Sequence, residues 1–220
     1  MPNHQINQIT RLLRPLYPKP RTALHYQTPF QLLVAVILSA QCTDKKVNEV
    51  TQPIFAKYKT AQDFARIPLA RLAKMVRPTG FYVSKAKAVS VTAKLVTTQF
   101  GGRVPLTMEE LLTLRGVARK TANVVLGELT GKAPGIVVDT HVRRLSQRLG
   151  LTTQNDPVKI ERELMEIVPQ QDWVVFPHLL ILHGRSICDA KKPKCDECVL
   201  KKICPSAFTF PHFQTPKETL

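Results

Sequence analysis

The chain is short of acid. Its 220 residues carry 16 Asp and Glu against 32 Lys and Arg, a formal net charge of +16. The first carboxylate is Asp44, and none occurs between Asp63 and Glu109 or between Glu110 and Glu128. Arg66, Arg71, Lys74, Arg77, Lys85, Lys87, Lys94, Arg103, Arg115, Arg119 and Lys120 fall inside those gaps. An even scatter of charge would describe a merely soluble basic protein. The observed asymmetry points instead to a polyanion, most simply nucleic acid. Lys and Arg that neutralise phosphates release counterions, so such a surface grips the backbone without reading sequence.

Long apolar runs are also missing. The longest, Leu32 to Leu38, is far below the ~20 residues a membrane-spanning helix needs. The N-terminus shows no uninterrupted apolar stretch of a secretory signal, so the expected place is the cytoplasm, in association with the nucleoid. Strand patterning is nearly absent: Ile136-Val137-Val138 is too short to found a sheet, and no internal repeat is visible. A hydrophobic fraction of 44% with 22% charged residues excludes a disordered chain. The length suits one large domain or two small ones with a real core.

What is present is helix punctuated by Pro and Gly, predicting an all-α protein. Asn3 to Leu13 is a short amphipathic candidate. Thr28-Pro29 sets an N-cap and first helical position before the apolar FQLLVAVILSAQ. Thr43 or Asp44 caps the next helix, toward Tyr58, with Pro53 expected to kink it. Short helices follow over Thr60–Ile67 and Pro68–Val76, then a longer one over Ser84–Phe100. Thr107 and Glu110 have capping-box spacing. Further helices are expected over Lys120–Thr130, Thr140–Leu149, Asp156–Val168 and Asp172–Arg185. The tail beyond Pro205 reads as loosely ordered.

Of the five cysteines, Cys188, Cys195, Cys198 and Cys204 lie close together as C-x6-C-x2-C-x5-C. Disulfides are not expected in a cytosolic chain, so the cluster reads as a metal site. Four thiolates suit tetrahedral zinc or an iron–sulfur cluster, and spacing does not choose between them. Cys42 follows an apolar helix and reads as a small buried hydrophobe. Lys191, Lys192, Lys194, Lys201 and Lys202 surround the cluster, as phosphate contacts or as a solvated basic loop.

The stretch LTLRGVARKTANVVLG carries most information. A helix ends near Leu114, Gly116 makes a tight turn, and a new helix starts near Arg119. Backbone N–H groups there can face a phosphate, as in a helix–hairpin–helix. Lys120 opens the second helix. It suits either a phosphate contact or a nucleophilic amine, whose free form is favoured by desolvation, Arg119 and the positive helix end. Asp139, in Val138-Asp139-Thr140-His141, suits either an N-cap or a carboxylate aimed into a cleft.

Taken together these residues resemble the endonuclease III family of DNA glycosylases. Leu38-Ser39-Ala40-Gln41, the hairpin Leu114 to Ala122, Val138 to His141 and Cys188 to Cys204 match in order and spacing. Thr79-Gly80-Phe81-Tyr82, Ser84-Lys85-Ala86 and Leu180 to Arg185 match between them, so the likeness covers about residues 1–205. It implies two helical domains flanking a DNA-binding cleft. One spans residues 22–130 and contains the hairpin. The other, residues 1–21 with 131–205, holds a 4Fe-4S cluster on the four cysteines, and residues 206–220 form the loose tail. It implies base-excision repair of oxidised pyrimidines in duplex DNA by a bifunctional glycosylase and abasic-site lyase. Nothing in the sequence argues for more than a monomer. Lys120 would attack C1′, expel the damaged base and form a Schiff base. Asp139 would accept a proton or stabilise positive charge on the sugar, and β-elimination would cleave the strand. Arg115, Gly116, Val117, Ala118 and Arg119 would contact the backbone, as would Lys191. Gln41 would enter the space left by the flipped nucleotide, and Phe81 would be a wedge where the family usually has Leu.

The hairpin departs from the family's usual L-P-G-V-G, reading Leu114-Arg115-Gly116-Val117-Ala118. Ala118 would be strained by roughly 1 kcal/mol or more if its φ had to be positive. Leu112 stands where relatives are more polar. Two other readings fit the residues less completely: a metal-stapled DNA-binding module without catalysis, and a monofunctional glycosylase in which Lys120 only binds phosphate.

Overall fold

The computed structural model describes residues 2–214. In chain order the helices are α1 (Pro2–Leu13), α2 (Pro29–Leu38), α3 (Asp44–Lys57), α4 (Ala61–Ala65), α5 (Leu69–Val76), α6 (Tyr82–Gln99), α7 (Met108–Leu112) and α8 (Arg119–Thr130). They continue with α9 (Thr140–Arg148), α10 (Pro157–Ile167), α11 (Val175–Ser186) and α12 (Pro211–Gln214). No strand occurs among the described residues, and Ile136 to Val138 run as a buried connection into α9. No described helix is long and apolar enough to cross a membrane. The chain divides into two compact units, Thr22–Pro134 and Met1–Arg21 with Gly135–Leu220. The division therefore falls after Pro134 rather than at the Gly131 helix stop.

In the unit 22–134, α2 is the central element. Its residues Phe30 to Leu38 are all buried, which its uniformly apolar sequence requires. Thr28 accepts the Gln31 N–H and Pro29 occupies the first turn, as the sequence predicts. Gln31 is the polar exception in α2, fully buried yet satisfied. Its Nε2 donates to the Phe55 and Tyr58 carbonyls at 3.0 Å, and its Oε1 accepts from Gln27 N at 2.8 Å. Removing it would strand those backbone groups at a cost of about 1–3 kcal/mol each. Helix α6 packs on α4 and α5, while α8 packs on α2 and α7. Helix α3 runs through Pro53 as one element.

Local signals differ from expectation at two helix starts. The reciprocal capping box forms at Thr60 and Asp63. At Thr107 the Glu110 side chain takes the Thr107 hydroxyl instead of the backbone N–H, so only half of the motif forms. Helix α6 starts at Tyr82 rather than Ser84, because Gly80 and Phe81, at φ 69° and 47°, turn the chain directly into it.

In the other unit, α1 contributes Ile6, Ile9 and Leu13, α9 Val142 and Leu145, α10 Ile160 and Leu164, and α11 Phe176, Leu179 and Leu180. These spacings of three and four put one apolar stripe of each helix into a shared core. Arg14 pairs with Asp172 at 2.9 Å, tying the end of α1 to the approach of α11. The sequence reading expects a loose tail from residue 206. Within it Phe210 lies over Arg148 of α9 and Phe208 packs on Phe213. Residues 215–220, including Pro216, lie outside the described residues.

Candidate functional site

The hairpin between α7 and α8 is anchored from below. Leu114 and Val117 are buried, and the Val117 N–H closes the turn on the Leu114 carbonyl at 3.1 Å. Thr92 of α6 donates to the Arg115 carbonyl at 2.9 Å. Gly116 sits between at φ 82°, and a Cβ there would lie 2.9 Å from the Ala88 Cβ. Both the left-handed backbone and the close approach to α6 require glycine. Val117 is thus an anchor whose side chain is buried and whose N–H is already engaged, not a surface contact. Ala118 is the N-cap of α8 at φ −97°, ψ 171°, ordinary extended backbone. The Ala for Gly departure therefore carries no left-handed strain. No side chain caps α8, so its first-turn N–H groups and the positive helix end are presented to an anion. Arg115, Arg119 and Lys120 are exposed around them.

The same unit holds a cavity of about 260 Å³ whose lining includes Gln41, Phe81, Ser84, Lys85 and Gly116. It brings Gln41 and Phe81 together with the hairpin glycine. Gln41 and Phe81 share an uncommon feature, φ of 50° and 47°, in a region that non-glycine residues seldom adopt. Phe81 is 69% exposed, which eliminates core packing as its purpose. Lys85 lies beneath it, only 5% exposed, with Nζ donating to the Thr79 carbonyl at 2.7 Å. Burial pushes this ammonium below the ordinary lysine value. The Thr79–Phe81 turn is also held by Thr79 Oγ1 on the Val76 carbonyl at 2.8 Å.

Asp139 ends the buried Ile136–Val138 run and caps α9. Its Oδ1 accepts both the His141 and Val142 N–H at 2.8 Å. These are its hydrogen bonds among the described residues, so the cap occupies one oxygen and leaves Oδ2 for other chemistry. The cap and the chemical reading are compatible. His141 Nδ1 lies 3.1 Å from Arg144 Nη2. Arginine only donates, so Nδ1 accepts and the neutral ring carries its proton on Nε2. Burial favours the neutral form, lowering its pKa below the ordinary histidine value.

The four cysteines of the C-x6-C-x2-C-x5-C pattern all line one cavity, with Arg148, Lys194 and Phe210 among its other walls. No three Cys, His, Asp or Glu side chains among the described residues converge on a single ion. A tetrahedral zinc draws its sulfurs to ~2.3 Å from one centre, whereas a cluster holds each thiolate on a different iron. The four thiols in one cavity supply the donor set of such a cluster. Burial and the neighbouring thiols push Cys198 up to about 11 and also raise Cys204. Thiolates this close need bound positive charge, so ligation would expel protons. Arg148 Nη1 donates to Cys188 Sγ at 3.2 Å, and His183 Nε2 lies 3.3 Å from Cys198 Sγ. Backbone groups of Leu200 and Ser206 serve Cys198 and Cys204. Burial pushes His183 down to about 4. Lys191 is exposed beside the cysteines, its backbone N–H bonded to Asp189 Oδ1 at 2.8 Å. Cys42 is half-buried against the core of the other unit.

Sequence reasoning missed the roles of Lys85, Arg148 and Phe210. The only signal for Lys85 was its place among small apolar residues, where the helix period puts it on the inner face. Arg148 and Phe210 carried none, since their contacts span 62 positions between residues 148 and 210.

The geometry defines an all-helical protein with a glycine hairpin, an uncapped basic helix start and a four-cysteine centre. Residues 34–170 match the family described as HhH-GPD superfamily base excision DNA repair protein. Residues 188–204 match the iron-sulfur binding domain of endonuclease III. Endonuclease III of Synechocystis sp. is 52% identical over 200 residues, covering 91% of this chain and 91% of that protein. A non-covalent endonuclease III–DNA complex and a trapped endonuclease III–DNA covalent intermediate are each 38% identical. Each superposes with a TM-score of 0.87 over 94% of this chain and 97% of the other. The chain belongs to the endonuclease III family of base-excision repair proteins.

Proposed function

We propose that this chain is a DNA glycosylase and abasic-site lyase that removes oxidised pyrimidines from duplex DNA through a Schiff base on Lys120. The observation that carries the assignment of the nucleophile is the start of α8. An exposed lysine stands one residue after Arg119, at a helix N-terminus that no side chain caps, directly behind a glycine turn locked onto α6. The hairpin N–H groups hold a phosphate and fix the register of the strand. Phe81 and Gln41, set in left-handed backbone, fill the stack where a base has been extruded, at a cost of a few kcal/mol that is least for a poorly stacked lesion. Lys120 Nζ attacks C1′, the C1′–N bond breaks and the base leaves. The amine loses a proton as the sugar ring opens to the imine, which acidifies the C2′ proton, and loss of that proton expels the 3′ phosphate. Asp139 stabilises the positive charge developing on the sugar. Cys188, Cys195, Cys198 and Cys204 hold the 4Fe-4S cluster, which when bound cross-links the 188–204 loop that displays Lys191.

Borohydride reduction tests the reading. Holoprotein on duplex containing thymine glycol or an abasic site should give a covalent adduct, and Lys120→Ala should abolish it. An undiminished adduct in Lys120→Ala, or none with the intact holoprotein, would overturn the assignment. Base release with an intact strand would indicate a monofunctional enzyme.

A further inference from the structure

Arg148 is the residue most heavily committed to the cysteine centre, and the chain after Cys204 folds back to cover it. The Arg148 guanidinium donates to Cys188 Sγ at 3.2 Å and to the Asp189 and Ala190 carbonyls at 2.7 Å each. Its own carbonyl lies 3.4 Å from Cys204 Sγ. One residue on α9 therefore touches two cluster ligands and pins the loop that leaves the first of them. The flat face of the guanidinium is covered by the Phe210 ring, 4.5 Å from Cζ to the ring centroid.

The covering segment is itself secured. His212 Nε2 lies 3.1 Å from the Pro193 carbonyl, and the Phe213 N–H bonds to the Phe210 carbonyl at 2.9 Å. Phe208 and Phe213 pack edge to face at 5.1 Å. Phe208 holds φ 62°, a conformation that persists only where the surroundings impose it. Phe210 and Ala207 line the same cavity as all four cysteines.

We infer that residues 206–213 are a cover over the iron–sulfur centre, and that Phe210, through Arg148, is a positioning residue for Cys188. An arginine stacked on a ring is held in one plane, so its in-plane N–H groups stay directed at the sulfur and the carbonyls. Excluding water from that pair strengthens the N–H···S bond. The cover also bars one approach by which a chelator or water reaches the iron.

The test uses holoprotein and EDTA, following loss of the cluster's visible absorbance. Phe210→Ala and a chain ending at Pro205 should each lose the cluster at least about fivefold faster than wild type, the factor corresponding to ~1 kcal/mol. Far-UV circular dichroism should be unchanged. Leu106→Ala, at an exposed side chain outside the cover, should stay within about twofold of the wild-type rate. A wild-type rate in either Phe210→Ala or the shortened chain overturns the inference. So does faster loss accompanied by an equal loss of helix signal, which would mean general loosening.

Discussion

Gly116→Ala tests the hairpin most directly, because two separable costs meet at one atom. The new Cβ would sit 2.9 Å from the Ala88 Cβ and 3.5 Å from Ile37 Cγ2, on a backbone at φ 82°. The left-handed conformation costs an L-residue roughly 1–2 kcal/mol. Carbon atoms prefer about 3.5–4.0 Å, so the turn and α6 must separate by more than half an ångström. That overpacking costs roughly 1–3 kcal/mol. The total, roughly 2–5 kcal/mol, is a large share of the ~5–15 kcal/mol that stabilises a folded domain. Ala88→Gly removes only the steric part. The double variant should therefore be more stable than the sum of the single changes by about 1–3 kcal/mol, while Gly116→Ala in that background still costs about 1–2 kcal/mol. Urea unfolding followed by circular dichroism reads all four corners. A Gly116→Ala change below about 0.5 kcal/mol, or a cycle with no coupling, would refute the claim that the hairpin is locked against α6.

Lys85→Met should flatten the alkaline rise in stability. The folded value lies below the 10.5 of free lysine, so between the two the unfolded chain holds more protons and wild-type stability increases with pH. The shift in urea midpoint from about pH 8 to about pH 10 should be less positive in the variant than in wild type, and equal shifts would refute the assignment. Phe81→Ala removes an exposed ring and should leave stability within about 0.5 kcal/mol. It should weaken binding to abasic-site duplex by about fivefold or more, since one lost stacking contact is worth about 1–3 kcal/mol. Equal affinities would remove Phe81 from the interface. Arg115→Ala should lower the slope of log affinity against log salt by about one without changing lesion preference, whereas an unchanged slope would mean that Arg115 meets no phosphate.

The helical fold was largely legible because its signals are local. Thr28-Pro29 before an apolar run and Asp156 before Pro157 are start signals whose side-chain bonds form as read. Long-range contacts were not legible in the same way. Ala118 looked like a cost only while its φ was unknown, and at −97° the departure is neutral backbone. Asp139 offered two readings that one carboxylate reconciles, with Oδ1 capping α9. The contact of Phe210 was not legible, since the Arg148 face that receives it exists only after folding.

The net charge of +16 proves to be several kinds of charge. Arg66, Arg71, Lys74, Arg77, Lys87, Lys94, Arg103, Arg115, Arg119 and Lys120 are exposed, as counterion release at a phosphate backbone requires. Lys85, from the same acid-poor stretch, is buried and fastens the turn that carries Phe81. Arg144 and Arg148 are spent on the carbonyls of Gly184, Cys188, Asp189 and Ala190 and on one thiol. A basic residue in this chain is therefore assigned by its burial and its acceptor rather than by its sign. Exposed cations set affinity and its salt dependence, and buried ones set the geometry of the wedge and of the metal centre. Substitutions in the two groups should separate in a salt titration even where both reduce repair.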